Sequence, residues 1–291
     1  MKTNSLLIIV IIIIVAIGSI RLLNKTNYEK NMAAEEDSVS PIIDLTYLTN
    51  DNKRVFINSS LGCKAQCSYC YLPILGYNKS IKKTISAKKI IELLEQNNLD
   101  INNNTLISIG CFSECWDENN KKETIDIIKY FLKKGNQIQL STKCKILKKE
   151  LAEILPLIKY PGQLVIFVSS ATISKHNIYE KNTTSISERF KTFKISKSTN
   201  IPVVLYIKPV LQNITINDID LYKKYIEKYE IEDVVVGSMF LDKKSEETVH
   251  FSNKNELFYN KCQDEELIIS KLSNITNIYR RSSEIMKKYK N

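Results

Sequence analysis

Six short apolar runs, most of them β-branched, recur along the chain: Arg54 to Asn58, Thr105 to Ile109, Gln137 to Ser141, Leu164 to Val168, Val203 to Ile207 and Asp233 to Gly237. Runs of this length and composition predict strands. Amphipathic stretches fill most of the intervals. Ser86 to Gln96 carries Ile90, Ile91, Leu93 and Leu94 at helical spacing, and Lys122 to Lys134 carries Ile125, Ile128, Phe131 and Leu132. Ser185-x-x-Glu188 has the pattern of a capping box, and Asn217 stands where it would cap a helix running through Tyr222, Ile226 and Tyr229. Strands alternating with helices imply an α/β fold with a parallel sheet and right-handed crossovers. Such sheets gather their chemistry at the carboxyl ends of the strands. Residues 241–291 read as a helical extension, with Asp264 to Lys290 a basic terminal helix.

The amino terminus has a different pattern. Leu6 to Ile20 reads LLIIVIIIIVAIGSI without a charge. With its flanks it reaches about 20 residues, enough at ~1.5 Å per residue to cross a hydrocarbon core. Residues 1–23 therefore predict a single transmembrane anchor helix. The alternatives are a cleaved signal peptide, since Ala16 and Gly18 offer a small-x-small site, and a buried core helix, which so dense a β-branched run disfavours. Lys2 precedes the segment and Arg21, Lys25 and Lys30 follow it, a bias that puts the large domain in the cytoplasm. Residues 24–45 are polar, carry Glu35, Glu36 and Asp37, include Pro41 and read as a tether to a core over 46–240.

Composition narrows the functional classes. A chain that is 43% hydrophobic and 25% charged is neither disordered nor a polytopic membrane protein. Its net charge of +10 favours acidic partners such as nucleic acid or anionic lipid. Lys-rich stretches with interleaved tyrosines, Tyr222 to Tyr229 and Tyr279 to Tyr289, would tolerate DNA, although solvated helix faces explain them equally well. Only seven glycines are present, which argues against a glycine-rich phosphate cradle. The seven cysteines are an odd number and unevenly spaced, unlike a disulfide scaffold.

Directly after the first strand comes Gly62-Cys63-Lys64-Ala65-Gln66-Cys67-Ser68-Tyr69-Cys70-Tyr71-Leu72, a C-x3-C-x2-C run. Three thiolates on one tight loop suit three irons of a cubane 4Fe-4S cluster, and the lack of a fourth nearby cysteine leaves the last iron open to a small molecule. A zinc site usually closes with four protein ligands, and the two histidines, His176 and His250, are distant in sequence. A non-enzymatic scaffold holding zinc or a structural cluster stays open as an alternative, as does an inert buried trio of cysteines.

The triad after strand one of a six-stranded α/β chain resembles the radical S-adenosylmethionine superfamily, and within it the spore photoproduct lyase and DNA-photolyase-like radical enzymes. The likeness extends over roughly Phe56 to Gly237. It includes Ile109-Gly110-Cys111-Phe112-Ser113-Glu114 at the end of strand two, Ser141-Thr142-Lys143 at strand three, Ser169 at strand four, then Tyr179-Glu180, Arg189, and Ile201-Pro202 through Lys208-Pro209.

The resemblance implies a partial (β/α)6 TIM-like barrel that binds a 4Fe-4S cluster and S-adenosylmethionine. The cluster would cleave the cosubstrate reductively to a 5′-deoxyadenosyl radical, which abstracts a substrate hydrogen atom. It implies an electron donor such as flavodoxin or ferredoxin. Cys63, Cys67 and Cys70 would be the metal ligands, and Ser141, Thr142, Lys143, Ser169, Glu180 and Arg189 would bind the cosubstrate. Cys111 would give a hydrogen atom to a substrate radical, with Tyr69 and Tyr71 as relay. Each has an ordinary reading too: strand-ending serines, a solvated lysine, a surface ion pair, a small buried thiol. Cys115, Cys144 and Cys262 read as incidental. Three departures separate the chain from repair of DNA photoproducts proper. An anchor and tether replace a longer amino-terminal portion, Ala171 stands where the lyase carries an amide side chain, and Ser238 to Asn291 shows no match to the lesion-binding end.

Overall fold

The computed structural model describes residues 43–47, 53–77, 84–96, 101–241, 247–248 and 258–290. The expected anchor, nearly all of the tether and His250 lie outside the described residues. Among the described residues, no helix is long and apolar enough to cross a membrane. All of them belong to one compact unit, Ile42–Asn291.

In chain order the strands are β1 (Ile43–Tyr47), β2 (Lys53–Ile57), β3 (Leu106–Ile109), β4 (Ile138–Thr142), β5 (Leu164–Ser169), β6 (Val203–Ile207), β7 (Asp233–Val236), β8 (Met239–Leu241), β9 (Glu247–Thr248), β10 (Phe258–Asn260) and β11 (Asn277–Tyr279). The main sheet has the order β1-β2-β3-β4-β5-β6-β7-β11. β1 runs antiparallel to β2, and every other pair is parallel. The six predicted strands are β2 to β7. β3, β5 and β7 are buried along their whole length, which is why they read as unbroken apolar runs instead of alternating ones.

The helices are α1 (Ala87–Gln96), α2 (Lys121–Lys134), α3 (Ile219–Tyr229), α4 (Asp264–Leu272) and α5 (Ser282–Lys288). α1 buries Ala87, Ile90 and Leu94. α2 buries Thr124, Ile127, Ile128, Phe131 and Leu132, so Ile127 takes the core position that the periodicity gave to Ile125. It ends at Gly135, whose φ of 91° lets its N–H cap Leu132 and Phe131. Between β4 and β5 there are only the 3-10 turns Lys148–Leu151 and Leu155–Leu157, where Pro156 removes an N–H that a longer helix would use.

Three local expectations are corrected. Ser185 precedes a single helical turn, Ile186–Arg189, and forms no capping bond. Its box partner Glu188 is drawn instead to two cations, Lys145 at 2.7 Å and Lys191. Asn217 lies inside a 3-10 turn and donates to Asn213 O at 2.7 Å, leaving Asp218 at the start of α3. The expected basic terminal helix is two helices, α4 and α5, with β11 between them pairing with β7.

That carboxyl-terminal segment packs at the beginnings of the strands. Ile285 and Met286 of α5 join a buried cluster with Leu106, Val165, Phe167, Val204 and Val235. Gln137, just before β4, donates to Met286 O at 2.9 Å. Asp233, the first residue of β7, accepts from Lys288 Nζ at 2.7 Å and Tyr289 Oη at 2.8 Å. The opposite, carboxyl end of the sheet is left to the loops that carry the unusual side chains.

Candidate functional site

The cysteine loop leaves β2 at Asn58. It turns at Gly62 and again at Gln66, which adopt φ of 89° and 48°. Gly62 N–H donates to Phe112 O at 2.9 Å and Ser68 N–H to Tyr179 O at 3.0 Å, tying the loop to the segments after β3 and β5. Cys63, Cys67 and Cys70 are half-buried and in no disulfide. Ala65 N–H donates to Cys63 Sγ at 3.4 Å. Burial pushes the Cys63 thiol up to about 12, with the Glu114 charge and the two neighbouring thiols adding to the rise. Burial also raises Cys67 and Cys70, opposed in both by the Lys143 charge. Without added positive charge the trio is therefore neutral thiol, and bound iron would supply the charge that holds thiolates.

The donor set fits a cubane cluster. Among the described residues no three His, Cys, Asp or Glu side chains converge on a single ion. A cubane instead gives each sulfur its own iron at a separate corner. Three buried polar atoms flanking the site, Asn58 Nδ2, Ser60 Oγ and Ser113 Oγ, have no hydrogen-bond partner among the described residues. Buried donors are rarely left so, and here they suit a bound group rich in acceptors, such as sulfide or a carboxylate.

The turn after β3 brings the second group. Gly110 has φ of 93°, and a Cβ there would lie 2.2 Å from Ser141 O. This close approach sets Cys111 at the sheet end. Its Sγ donates to Asn58 Oδ1 at 3.3 Å, and Tyr71 Oη donates to its carbonyl at 2.5 Å. Glu114 links β3 to β4: it accepts from the Thr142 hydroxyl, from Lys143 N–H at 2.8 Å and from Trp116 N–H at 3.1 Å. The Ser141 carbonyl accepts from Cys115 Sγ at 3.3 Å, and its hydroxyl accepts from Gln139 Nε2 at 3.5 Å. Cys115 is buried there, as an incidental thiol would be.

A third network is built on buried charge. Glu180 and Arg189 are both 0% exposed and pair at 2.6 Å. Glu180 also accepts from Tyr69 Oη and from Ala171 N–H at 3.1 Å, and lies 3.9 Å from Lys143 Nζ. Burial alone would raise the Glu180 carboxyl, but Lys143 and Arg189 outweigh it and hold it below the usual carboxylate range. Burial and then the Glu180 charge push Tyr69 well up. Lys143 Nζ donates to Ser169 Oγ at 2.6 Å, and Ser169 is buried.

The sequence-expected residues thus fall into two groups. Tyr69, Lys143, Ser169, Glu180 and Arg189 form one connected network beside Cys67, while Tyr71 stands with Cys111. The two tyrosines are not a contiguous relay among these hydrogen bonds. Arg189 directs all five N–H donors to Ser169 O, Glu180, Thr183 Oγ1 and Thr184 O. Asn58 and Glu114 carry contacts for which sequence reasoning assigned no role. Their only signal was position, one directly after a strand and the other within the strand-end block.

No protein-family model matches the chain, and no curated protein matches it. Solved structures do. A doubly substituted spore photoproduct lyase with bound AdoMet and dinucleoside spore photoproduct is 12% identical, with a TM-score of 0.60 over 78% of this chain and 76% of that one. A second spore photoproduct lyase structure, complexed with dinucleoside spore photoproduct, gives 12% and 0.58 over 76% and 75%. Streptococcus suis SuiB gives 14% and 0.51 over 78% of this chain, which spans only 48% of SuiB. The chain therefore has the α/β fold of these radical S-adenosylmethionine enzymes.

Proposed function

We propose that this chain is a radical S-adenosylmethionine enzyme of the spore-photoproduct-lyase type, its sheet wrapped as a partial (β/α)6 barrel. Cys63, Cys67 and Cys70 would hold three irons of a 4Fe-4S cluster, and the polar residues at the strand ends beside them would bind S-adenosylmethionine. When bound, these two groups supply the one-electron cleavage that yields a hydrogen-abstracting 5′-deoxyadenosyl radical.

The chain's own residues position and protect. Lys143 brings a cation to the face where an aminoacyl carboxylate is held, and Glu180 and Ser169 fix its ammonium. Arg189 keeps Glu180 ionised and rigid. Glu114 locks the backbone and hydroxyl of Thr142 and Lys143, joining two strand ends into one wall. Cys111 gives its hydrogen atom to a substrate carbon radical: the S–H bond breaks, the C–H bond forms, and a thiyl remains. Tyr71 would refill the thiyl, its O–H breaking as the S–H re-forms, and the tyrosyl radical left would be restored by one proton and one electron, the electron coming from a donor of the flavodoxin or ferredoxin class.

The observation that best supports this reading is the three-thiol loop at the carboxyl end of a parallel sheet, beside a buried Lys-Glu-Arg network. Anaerobic reconstitution with iron and sulfide, reduction with dithionite and assay for 5′-deoxyadenosine test it. Turnover is expected in the wild type and lost in Cys67→Ala. A fully loaded wild-type cluster that cleaves no cosubstrate refutes it.

A narrower reading makes thymine photoproducts in DNA the substrate. It is favoured by the fold of two structures holding dinucleoside spore photoproduct and by a thiol at Cys111. Active cosubstrate cleavage without repair of that dinucleoside removes it. An electron donor of the flavodoxin or ferredoxin class and a membrane anchor at residues 1–23, with the enzyme on the cytoplasmic side, complete the proposal.

A further inference from the structure

Asn58 is 1% exposed and follows β2 directly, one residue beyond the last strand pair with β3. Its Oδ1 accepts twice, from Phe112 N–H at 3.0 Å and from Cys111 Sγ at 3.3 Å. The backbone N–H of Phe112 decides which end of the amide faces it, because the amide nitrogen there would set donor against donor. The carbonyl end therefore also faces the thiol. A carbonyl oxygen that accepts from the thiol holds Sγ in one side-chain rotamer. The same amide leaves Nδ2 buried with no partner among the described residues, so the side chain is held in place through its carbonyl.

We propose that Asn58 is a positioning residue that holds the Cys111 sulfur in the one rotamer from which its hydrogen atom is given, the hydrogen leaving the Asn58 contact as it transfers. The inference rests on Cys111 acting as donor in the reading above and adds the residue that aims it. Hydrogen-atom transfer falls steeply with misplacement of the donor atom, and a sulfur on a rotatable Cα–Cβ bond needs a partner to fix where it stands. Phe112 N–H anchors the amide on one side of the thiol while Tyr71 holds the Cys111 carbonyl on the other. With the backbone fixed in this way, rotation about the Cys111 side chain is a freedom that the Asn58 contact restricts.

The deciding experiment is infrared difference spectroscopy of the reconstituted full chain in the S–H stretching region, with Cys111→Ala subtracted to isolate one thiol. The Cys111 band is expected to move to higher frequency in Asn58→Ala, as the acceptor is lost. In Asn58→Asp it is expected to move lower, since a carboxylate accepts more strongly and still holds Phe112 N–H. Should Asn58→Ala not fold, Asn58→Asp decides alone. A band that stays in place in the folded variant overturns the proposal, whatever the activity.

The second readout uses dinucleoside spore photoproduct as probe in deuterated water, scored as deuterium placed in product per 5′-deoxyadenosine formed. That ratio is expected to fall about fivefold in Asn58→Ala, the population shift one hydrogen bond supports, and to recover in Asn58→Asp. An unchanged ratio in Asn58→Ala counts against the proposal. Failure of the wild type to form 5′-deoxyadenosine would instead remove the enzymatic reading, and the infrared shift would still decide the role of Asn58.

Discussion

Replacing Arg189 by Met removes one partner of a fully buried ion pair. Glu180 and Arg189 are each 0% exposed and lie 2.6 Å apart. In the variant the Glu180 carboxylate keeps Tyr69 and Ala171 N–H as hydrogen-bond donors and only Lys143, 3.9 Å away, as a cation. Leaving one buried charge without its partner costs about 3–5 kcal/mol. Trp116, the sole tryptophan, is 1% exposed, so urea unfolding can be followed by its fluorescence on the reduced full chain. The sign with pH follows from the lowered Glu180 value. In the wild type the pair's contribution is complete above the unfolded carboxyl value of about 4.3 and is lost only as pH falls through the lower folded value. In the variant only Lys143 and Tyr69 still oppose burial, so the folded carboxyl rises and takes up a proton at higher pH, relieving part of the penalty. The gap between the two proteins should therefore shrink between pH 7 and pH 5, and Glu180→Gln added to Arg189→Met should recover much of it. A gap under about 1 kcal/mol at pH 7, or one that does not shrink on acidification, would refute the reasoning.

Other expectations follow from single contacts. Gly110→Ala must place a Cβ 2.2 Å from Ser141 O at φ of 93°, so thermal and urea unfolding should show a loss of about 2–5 kcal/mol. Tyr71→Phe removes the donor to Cys111 O and, in the proposed mechanism, the atom that refills the thiyl; product per 5′-deoxyadenosine should fall while iron content holds, and an unchanged ratio would exclude the relay. Lys143→Met should raise the KM for S-adenosylmethionine more than it lowers kcat, measured on iron-matched samples; a pure kcat effect would contradict cosubstrate binding.

The strands were legible because buried parallel strands favour apolar runs, a demand that β3, β5, β6 and β7 meet with Val, Ile and Leu at most positions. The cysteine triad was legible because its spacing is local. Local pattern failed where a stronger distant partner competed. Glu188 fits a capping box by spacing, yet two ammonium groups outcompete one backbone N–H. Asp218 stands at the start of α3, yet its carboxylate turns to Ile173 N–H at 2.6 Å and to Thr172 Oγ1 at 2.5 Å, holding the loop after β5. Arg189 illustrates the same competition at the site, since no spacing rule reveals that its five donors are already committed.

Asn58 and Glu114 were illegible for a different reason. Their contacts cross from one strand end to the next, and in a parallel sheet neighbouring strand ends are separated by an entire crossover: Asn58 meets Cys111 53 positions away, and Glu114 meets Lys143 29 positions away. The chemistry-bearing residues share this geometry. Cys111 and Lys143 are each supplied by one βα turn and held by a side chain from the turn beside it. The loop of Cys63, Cys67 and Cys70 leans on Phe112 O, Cys111 on Asn58, Lys143 on Glu114 and Glu180, and Glu180 on Arg189. Alignment at this site therefore depends on sheet register. A change that shears β3 against β4, as Gly110→Ala would, should misplace Cys111 and Lys143 together even though it alters neither side chain.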